Sequence, residues 1–340
     1  VALIAWTRNS GRFTDLGRVL GVTPKVVDLP GLRSRWLVPL RYALSLCLTA
    51  AWLARRRPRV VIVNCPPPFA AVIVAIYARL FGRTFILDAH PGAFGHRDRL
   101  WKLFVPLQRL LVRLAATTMV TEPSLAKVVD RWRGSPLVFH EAPPPLEPLL
   151  SREGPSRRPK VIFTTIFDPD EPLEEIARTA CLLEECDVAI TGDRWRLPHD
   201  IRRRLAALPH VELTGWLGQV RYLELVGDAD VVVALTRDPH SVMRSAFEAA
   251  YLERPTVLSD TATLRACFSP SVFVEHSPQA IAEGVRTIIA DYASWRQPMR
   301  VRHQTLMRRW ASQRTELESA IEQAGRAAGA DRRIPSLQTP

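Results

Sequence analysis

The chain has 340 residues, 47% of them hydrophobic and 24% charged, and a formal net charge of +12. This composition excludes a disordered or collagen-like chain, and the length suits two ordinary domains better than one. The positive excess sits in the first half: residues 1–150 hold 21 Lys/Arg against 8 Asp/Glu, and residues 151–340 hold 25 against 26. Such an asymmetry points either to a polyanionic partner of that half or to a solubilising Arg-rich surface.

In chain order, "VALIAW" (1–6) reads as a strand, "TRNSGR" as a loop and "FTDLGRVLG" as a helix. "KVVDLP" (25–30) is the next strand, and a helix is expected over 36–56. Its apolar run "YALSLCLTAAWLA" (42–54), between Arg41 and Arg55, Arg56 and Arg57, is too short to span a bilayer, which takes about twenty residues. The run suits a helix packed on a sheet. It equally suits one lying on a membrane surface, with Trp36 and Trp52 at the interface and the arginines on lipid phosphates. "RVVIVNC" (59–65) is unbroken and β-branched, as in a strand buried on both faces. A Pro-rich turn and a helix ended by Gly82 follow. Next come strand "TFILDAH" (84–90), helix 99–115, strand "TTMVT" (117–121), helix 123–132 and the closing "LVFHEAPPP".

The stretch 142–160, "APPPLEPLLSREGPSRRPK", reads as a linker. Alternation then restarts with strands at 160–167, 186–192, 211–216, 230–236 and 256–260 and helices at 171–183, 199–207, 219–228, 243–253 and 278–293. The expectation is an α/β fold of two doubly wound Rossmann-like domains facing a cleft, with ligands beyond the carboxyl ends of the strands. The domains are placed at 1–148 and 149–297. A terminal helix at 298–325 is expected to return to the first domain, and the tail 326–340 to be disordered. The five cysteines lack metal-ligand spacing and no secretory leader is visible, which points to a cytoplasmic protein, peripheral at most on the inner face of the plasma membrane.

The residues that follow each strand are the candidate site. In the first half they are Asn9, Ser10 and Gly11; Asn64; Asp88, His90 and Gly92. In the second half they are Thr165; Gly192 and Asp193; Gly215 and Trp216; His240 and Ser241. Small, hydroxyl and Gly residues at these points let a phosphate approach backbone amides. No G-x-G-x-x-G follows the first strand, and no P-loop, G-x-S-x-G, H-E-x-x-H or nucleic-acid motif occurs. This argues against dinucleotide oxidoreductases and P-loop NTPases.

"EAAYLERPTVLSD" (248–260) resembles the "EAMACGxPVVASD" segment of GT-B glycosyltransferases of the family 4-like group, and the "NCPPP" and "FILDAHPGAF" stretches resemble their amino-terminal domains. The resemblance implies a glycosyltransferase using a nucleotide-diphosphate sugar, with retention of configuration. It implies Glu248 on the ribose hydroxyls and His90 near the transferred sugar. The family's first Glu, eight residues before the second, is here His240, and its Arg and Lys after the first strand of this domain are missing from "TTIFDPDEPLEEI".

Arg244 is then the expected diphosphate cation, with Ser241 and Ser245 at the helix start. Asp88 is expected to orient His90, although either residue also fits a structural role. Trp216 stacks on the base or packs. Asp168 and Asp170 read as turn and cap residues rather than as metal ligands. The expected partners are a nucleotide sugar, a lipid-linked or cell-envelope acceptor and an anionic membrane surface, with no nucleic acid and no metal or other cofactor. The alternatives are a nucleotide-sugar epimerase of the same build and a non-catalytic nucleotide-sugar-binding partner of another transferase.

Overall fold

The computed structural model describes residues 1–6, 11–32, 34–95, 102–145 and 155–330. The chain folds into two compact units, Val1–Ala142 with the segment from Trp310 on, and Pro143–Arg309.

The first unit runs β1 (Ala2–Ala5), α1 (Gly11–Leu20), β2 (Lys25–Val26), α2 (Val38–Arg56), β3 (Val60–Cys65), α3 (Pro68–Phe81), β4 (Thr84–Ala89), α4 (Val105–Leu114), β5 (Thr117–Val120), α5 (Pro123–Arg131) and β6 (Pro136–Val138). Its strands are all parallel, in the order β2-β1-β3-β4-β5-β6. The period of two along each strand divides the core. Val61, Val63 and Cys65 meet Ala70 and Val74 of α3 on one face. Val60 and Ile62 meet Phe13 and Leu16 of α1 on the other. Gly82 ends α3 in the left-handed region at φ 56°, where a side chain would be strained.

The second unit runs β7 (Lys160–Phe163), α6 (Leu173–Leu182), β8 (Asp187–Thr191), α7 (His199–Ala206), β9 (Val211–Gly215), α8 (Gln219–Asp228), β10 (Val231–Ala234), α9 (Arg244–Tyr251), β11 (Thr256–Ser259), α10 (Ala262–Phe268), β12 (Val272–Val274), α11 (Pro278–Ala290) and the first part of α12 (Tyr292–Ala330). Its strands are also parallel, in the order β12-β11-β10-β7-β8-β9. The early part of α12 is fixed by the buried Arg302. Its guanidinium donates to Thr256 Oγ1, Ser271 Oγ and the carbonyls of Arg254 and Pro270. From Trp310 on, the helix belongs to the first unit, where Leu317 and Ala324 are buried with Leu3 and Phe13.

Four details depart from the sequence reading. The expected strand 160–167 ends at Phe163, because the chain turns sharply: Thr165 N–H goes to Thr191 Oγ1 at 3.0 Å and Phe167 takes a left-handed φ of 57°. Asp168 and Asp170 lie in a turn as expected, with Glu171 N–H donating to the Asp168 carbonyl, but neither is the helix cap. The helix starts at Leu173 behind Pro172 with no side-chain cap, Asp168 pairs with Arg196 and Asp170 accepts from Thr236. Pro298, read as a helix start, lies inside a helix that already began at Tyr292. That helix runs to Ala330, so 326–330 are helical, and the rest of the expected tail lies outside the described residues.

Each sheet reverses its order of construction once, between β1 and β3 in the first unit and between β10 and β7 in the second. Loops at such a switch point diverge and leave a crevice beyond the strand ends, where doubly wound folds take their ligands.

Candidate functional site

In the first unit the switch point and the next strand gather a buried charge cluster. Asp88, on β4 opposite Asn64 of β3, is 1% exposed. Arg12, in the first turn of α1, places its Nε 3.1 Å from both Asp88 oxygens, its Nη1 2.9 Å from Glu141 Oε1 and its Nη2 2.8 Å from the Phe139 carbonyl. Burial alone would push the Asp88 carboxyl up. The Arg12 charge, helped by His90, overcomes it and holds the carboxyl below its usual range.

His90 Nε2 lies 3.3 Å from Asp88 Oδ2, with a third of the imidazole side chain exposed. That bond leaves Nδ1 for a ligand. Gly92 follows in a short turn, where a Cβ would already touch Pro66 Cγ at 3.4 Å, so the two loops lie against each other. Gly11 opens α1, while Asn9 and Ser10 lie outside the described residues. The sequence reading thus gathered Asp88, His90, Asn64 and Gly92 but missed Arg12 and Glu141. The signal was available: a carboxylate inside an apolar strand demands a buried cation.

In the second unit α9 leaves the switch point. Glu248, 4% exposed, accepts from Arg244 Nε at 2.7 Å, one helical turn earlier, and from the Tyr222 hydroxyl of α8. Burial, then the Glu248 charge, raises the Tyr222 phenol well above its ordinary value, so it stays a donor. Arg244, expected as a diphosphate cation, is therefore engaged with Glu248. Tyr222 was missed because it lies on the preceding helix, far from the motif in sequence.

Ser245 lies in the first turn of α9, whose start carries no side-chain cap. Before it, His240 N–H donates to Asp238 Oδ1 and Ser241 N–H to the Asp238 carbonyl. Thr236 joins this loop to the one after β7 through Asp170, and to β11 through Ser259 Oγ. The loop after β7 is acidic, as the sequence showed, and two cations reach it: Arg237, which donates to the Glu171 carbonyl, and Arg196, from the loop after β8. Arg196 donates to the Ile166 carbonyl and to Asp168. Glu171 closes the same loop by accepting from the amides of Ile166 and Asp168.

The remaining candidates lie at the ends of β8 and β9. Thr165 is buried and donates its hydroxyl to the Thr191 carbonyl. Gly192 has φ 123°, and a Cβ there would meet Phe167 Cε2 at 2.8 Å. Asp193 Oδ1 accepts from Trp195 N–H at 3.1 Å. Gly215, at φ 72°, faces open space, and Trp216 beside it is 56% exposed, so it stands clear of the core. Among the described residues, no three His, Cys, Asp or Glu side chains group as a metal site, and no helix is long and apolar enough to cross a membrane.

No protein-family model and no curated protein matches the chain. Solved structures do. A sucrose-phosphate synthase from Thermosynechococcus elongatus is 15% identical with a TM-score of 0.72, over 95% of this chain and 99% of that one. HepE of Anabaena, in complex with UDP and glucose, is 13% identical with a TM-score of 0.69, over 94% and 91%. A UDP-N-acetylglucosamine 2-epimerase from Listeria monocytogenes, described as putative, is 10% identical with a TM-score of 0.56, over 88% and 82%. The chain has the GT-B fold. Within that fold, α9 with Glu248 lies at the switch point of the second sheet, and the Arg12–Asp88–His90 cluster lies beside that of the first.

Proposed function

We propose that this GT-B chain is a glycosyltransferase that moves a sugar from a nucleotide-diphosphate donor to a lipid-linked or cell-envelope glycan. One observation carries the reading: Glu248 is a buried carboxylate on the helix that leaves the switch point of the second sheet. Arg244 Nε and the Tyr222 hydroxyl fix the rotamer of this carboxylate, and a carboxylate is an acceptor-only group suited to the hydroxyls of a ribose. The uncapped start of α9 offers amides and the positive end of the helix dipole to the diphosphate. The same groups stabilise the charge that grows as the nucleotide leaves, and no metal is called for.

In the first unit His90 takes the proton of the acceptor hydroxyl, and Asp88 stabilises the imidazolium that results. The acceptor oxygen bonds the anomeric carbon on the face from which the diphosphate departs, as the bond to the diphosphate breaks. Retention follows the resemblance to the family 4-like group. The HepE structure, a complex with UDP and glucose, supports a nucleotide-sugar donor. The likeness to the Listeria epimerase makes epimerisation the competing reading. Nucleotide released only when an acceptor is present separates the two.

The deciding experiment is a thermal-shift and calorimetric screen of UDP-, GDP- and dTDP-sugars on the wild type and on Glu248→Ala. A donor at a hundredfold excess over Kd stabilises the fold by about 2.7 kcal/mol. Stabilisation by one nucleotide family, lost in Glu248→Ala, supports the assignment. No response to any nucleotide sugar sinks it.

A further inference from the structure

Helix α2 is built inside out. The residues it buries are Ser45, Thr49 and Leu53. Thr49 donates to the Ser45 carbonyl and accepts from the Trp6 indole, so its hydroxyl is satisfied within the unit. Every exposed residue between positions 39 and 54 is Pro, Leu, Ala or Cys. A helix whose outer face meets water carries polar residues there. This one presents Leu40, Leu44 and Leu48, one turn apart and each more than 40% exposed.

The next two helices on the same side of the sheet repeat the pattern. On α3, Ile76 and Leu80 are exposed, and on α4, Leu110 and Leu114. These helices share a core layer with α2, and α3 contacts both of the others. Each precedes a strand of one parallel sheet, so all three run in the same direction and end at the amino edge of the sheet. That edge is basic: Arg55, Arg56 and Arg57 end α2, Arg79 lies in the last turn of α3, and Arg113 in the last turn of α4. From position 29 to 87 the sequence holds nine arginines and no Asp or Glu.

We propose that the outer face of α2, α3 and α4 is a docking surface for an anionic lipid bilayer. The leucine stripes enter the headgroup–acyl boundary and the arginine edge binds lipid phosphates. An apolar stripe with a basic margin and no acid is complementary to that boundary. Nucleic acid explains the arginines but leaves the leucines in water. A second copy of this chain on the same face would bring the two arginine edges into one interface, with no carboxylate between positions 29 and 87 to compensate them. The inference deepens the lipid-linked acceptor of the proposed function and needs nothing of its donor chemistry.

The test is flotation of the full chain with vesicles of phosphatidylcholine alone and of phosphatidylcholine with phosphatidylglycerol, without nucleotide. It compares the wild type, Leu44→Glu with Leu48→Glu, and Arg55→Gln with Arg56→Gln and Arg57→Gln. All five positions are exposed, so circular dichroism and Tm should stay unchanged. The expected result is binding to the phosphatidylglycerol vesicles that weakens with salt, with partitioning lowered about tenfold or more in each variant. Three results overturn the inference: no wild-type binding to either vesicle, equal binding by the Leu44/Leu48 variant, or concentration-dependent dimers that this variant abolishes. A chain that binds a nucleotide sugar but no vesicle keeps the donor reading and loses this one.

Discussion

Arg12 and Asp88 form a buried charge pair in the first unit: the Arg12 Nε stands 3.1 Å from both Asp88 oxygens, and neither side chain reaches water to any useful extent. The pair joins the first turn of α1 to the end of β4, and Glu141 on Arg12 Nη1 ties in the segment after β6. His90 is held by the same carboxylate.

Replacing Arg12 by Met leaves two buried carboxylates without their cation. The expected loss is about 3–5 kcal/mol of stability in urea or thermal unfolding of the full chain. Arg12→Met with Asp88→Asn should recover part of it, because the neutral amide no longer needs the charge. Asp88 also sets an acid limit. It takes up a proton less readily folded than unfolded, so its contribution is full above the usual carboxylate range and is lost as pH falls below about 4. In Asp88→Asn the stability of the chain should therefore fall less steeply on acidification.

Much of this arrangement was legible in the sequence, and the rest failed for identifiable reasons. The β-branched runs at 60–65 and 231–234 declare buried parallel strands because burial on both faces leaves no polar alternation to confuse them. Glu248 was singled out through the resemblance of its segment, and its burial on α9 fits a carboxylate among Ala and Phe that is costly without a task. Arg12 was lost among 46 basic residues, where type alone distinguishes none. Phe167 carries no sign of its left-handed backbone, which comes from the loop that Glu171 and Gly192 close around it. Tyr222 reaches Glu248 from another helix, a pairing that only the packing of α8 on α9 creates.

Glu171 gives the second unit a pH dependence of the opposite sense. Burial pushes its carboxyl up to about 7, against the amide bonds that favour its charged form. The folded chain then holds this proton more tightly than the unfolded chain. Stability should fall as pH rises from about 4.5 to about 7, and stay level in this respect above that. Glu171→Gln removes the ionisation. It should remove this slope in urea titrations at several pH values, and be the more stable form above pH 7 by about 1–2 kcal/mol.

Two glycines at neighbouring strand ends should respond very differently to alanine. At Gly192 a Cβ would lie 2.8 Å from Phe167 Cε2 and 3.0 Å from the Thr165 carbonyl, at φ 123°. Gly192→Ala should cost about 2–4 kcal/mol, from strain and overpacking together. At Gly215 the Cβ meets nothing within 4 Å, and φ is 72°. Gly215→Ala should cost only the left-handed penalty of about 1–2 kcal/mol. Equal costs in chemical denaturation would mean that the Phe167 loop gives way freely.

The Arg244–Glu248 pair makes a stricter demand. If Arg244 acts by holding Glu248, its removal and the loss of the carboxylate should not add. Glu248→Gln exchanges an ionised acceptor for a neutral one, and should weaken nucleotide-sugar binding by about 1.5–3 kcal/mol, roughly 10- to 150-fold in Kd. Arg244→Met should weaken it as well, because the carboxylate loses the 2.7 Å bond that fixes its rotamer. In the double variant the total should fall short of the sum by about 1 kcal/mol or more, as for groups in direct contact. Strict additivity in calorimetric titrations would instead give Arg244 its own contact with the donor, the role first read from the sequence. Either result needs Tyr222 as a reference. Tyr222→Phe removes a second donor to Glu248 without touching charge, and should cost less than either charged variant.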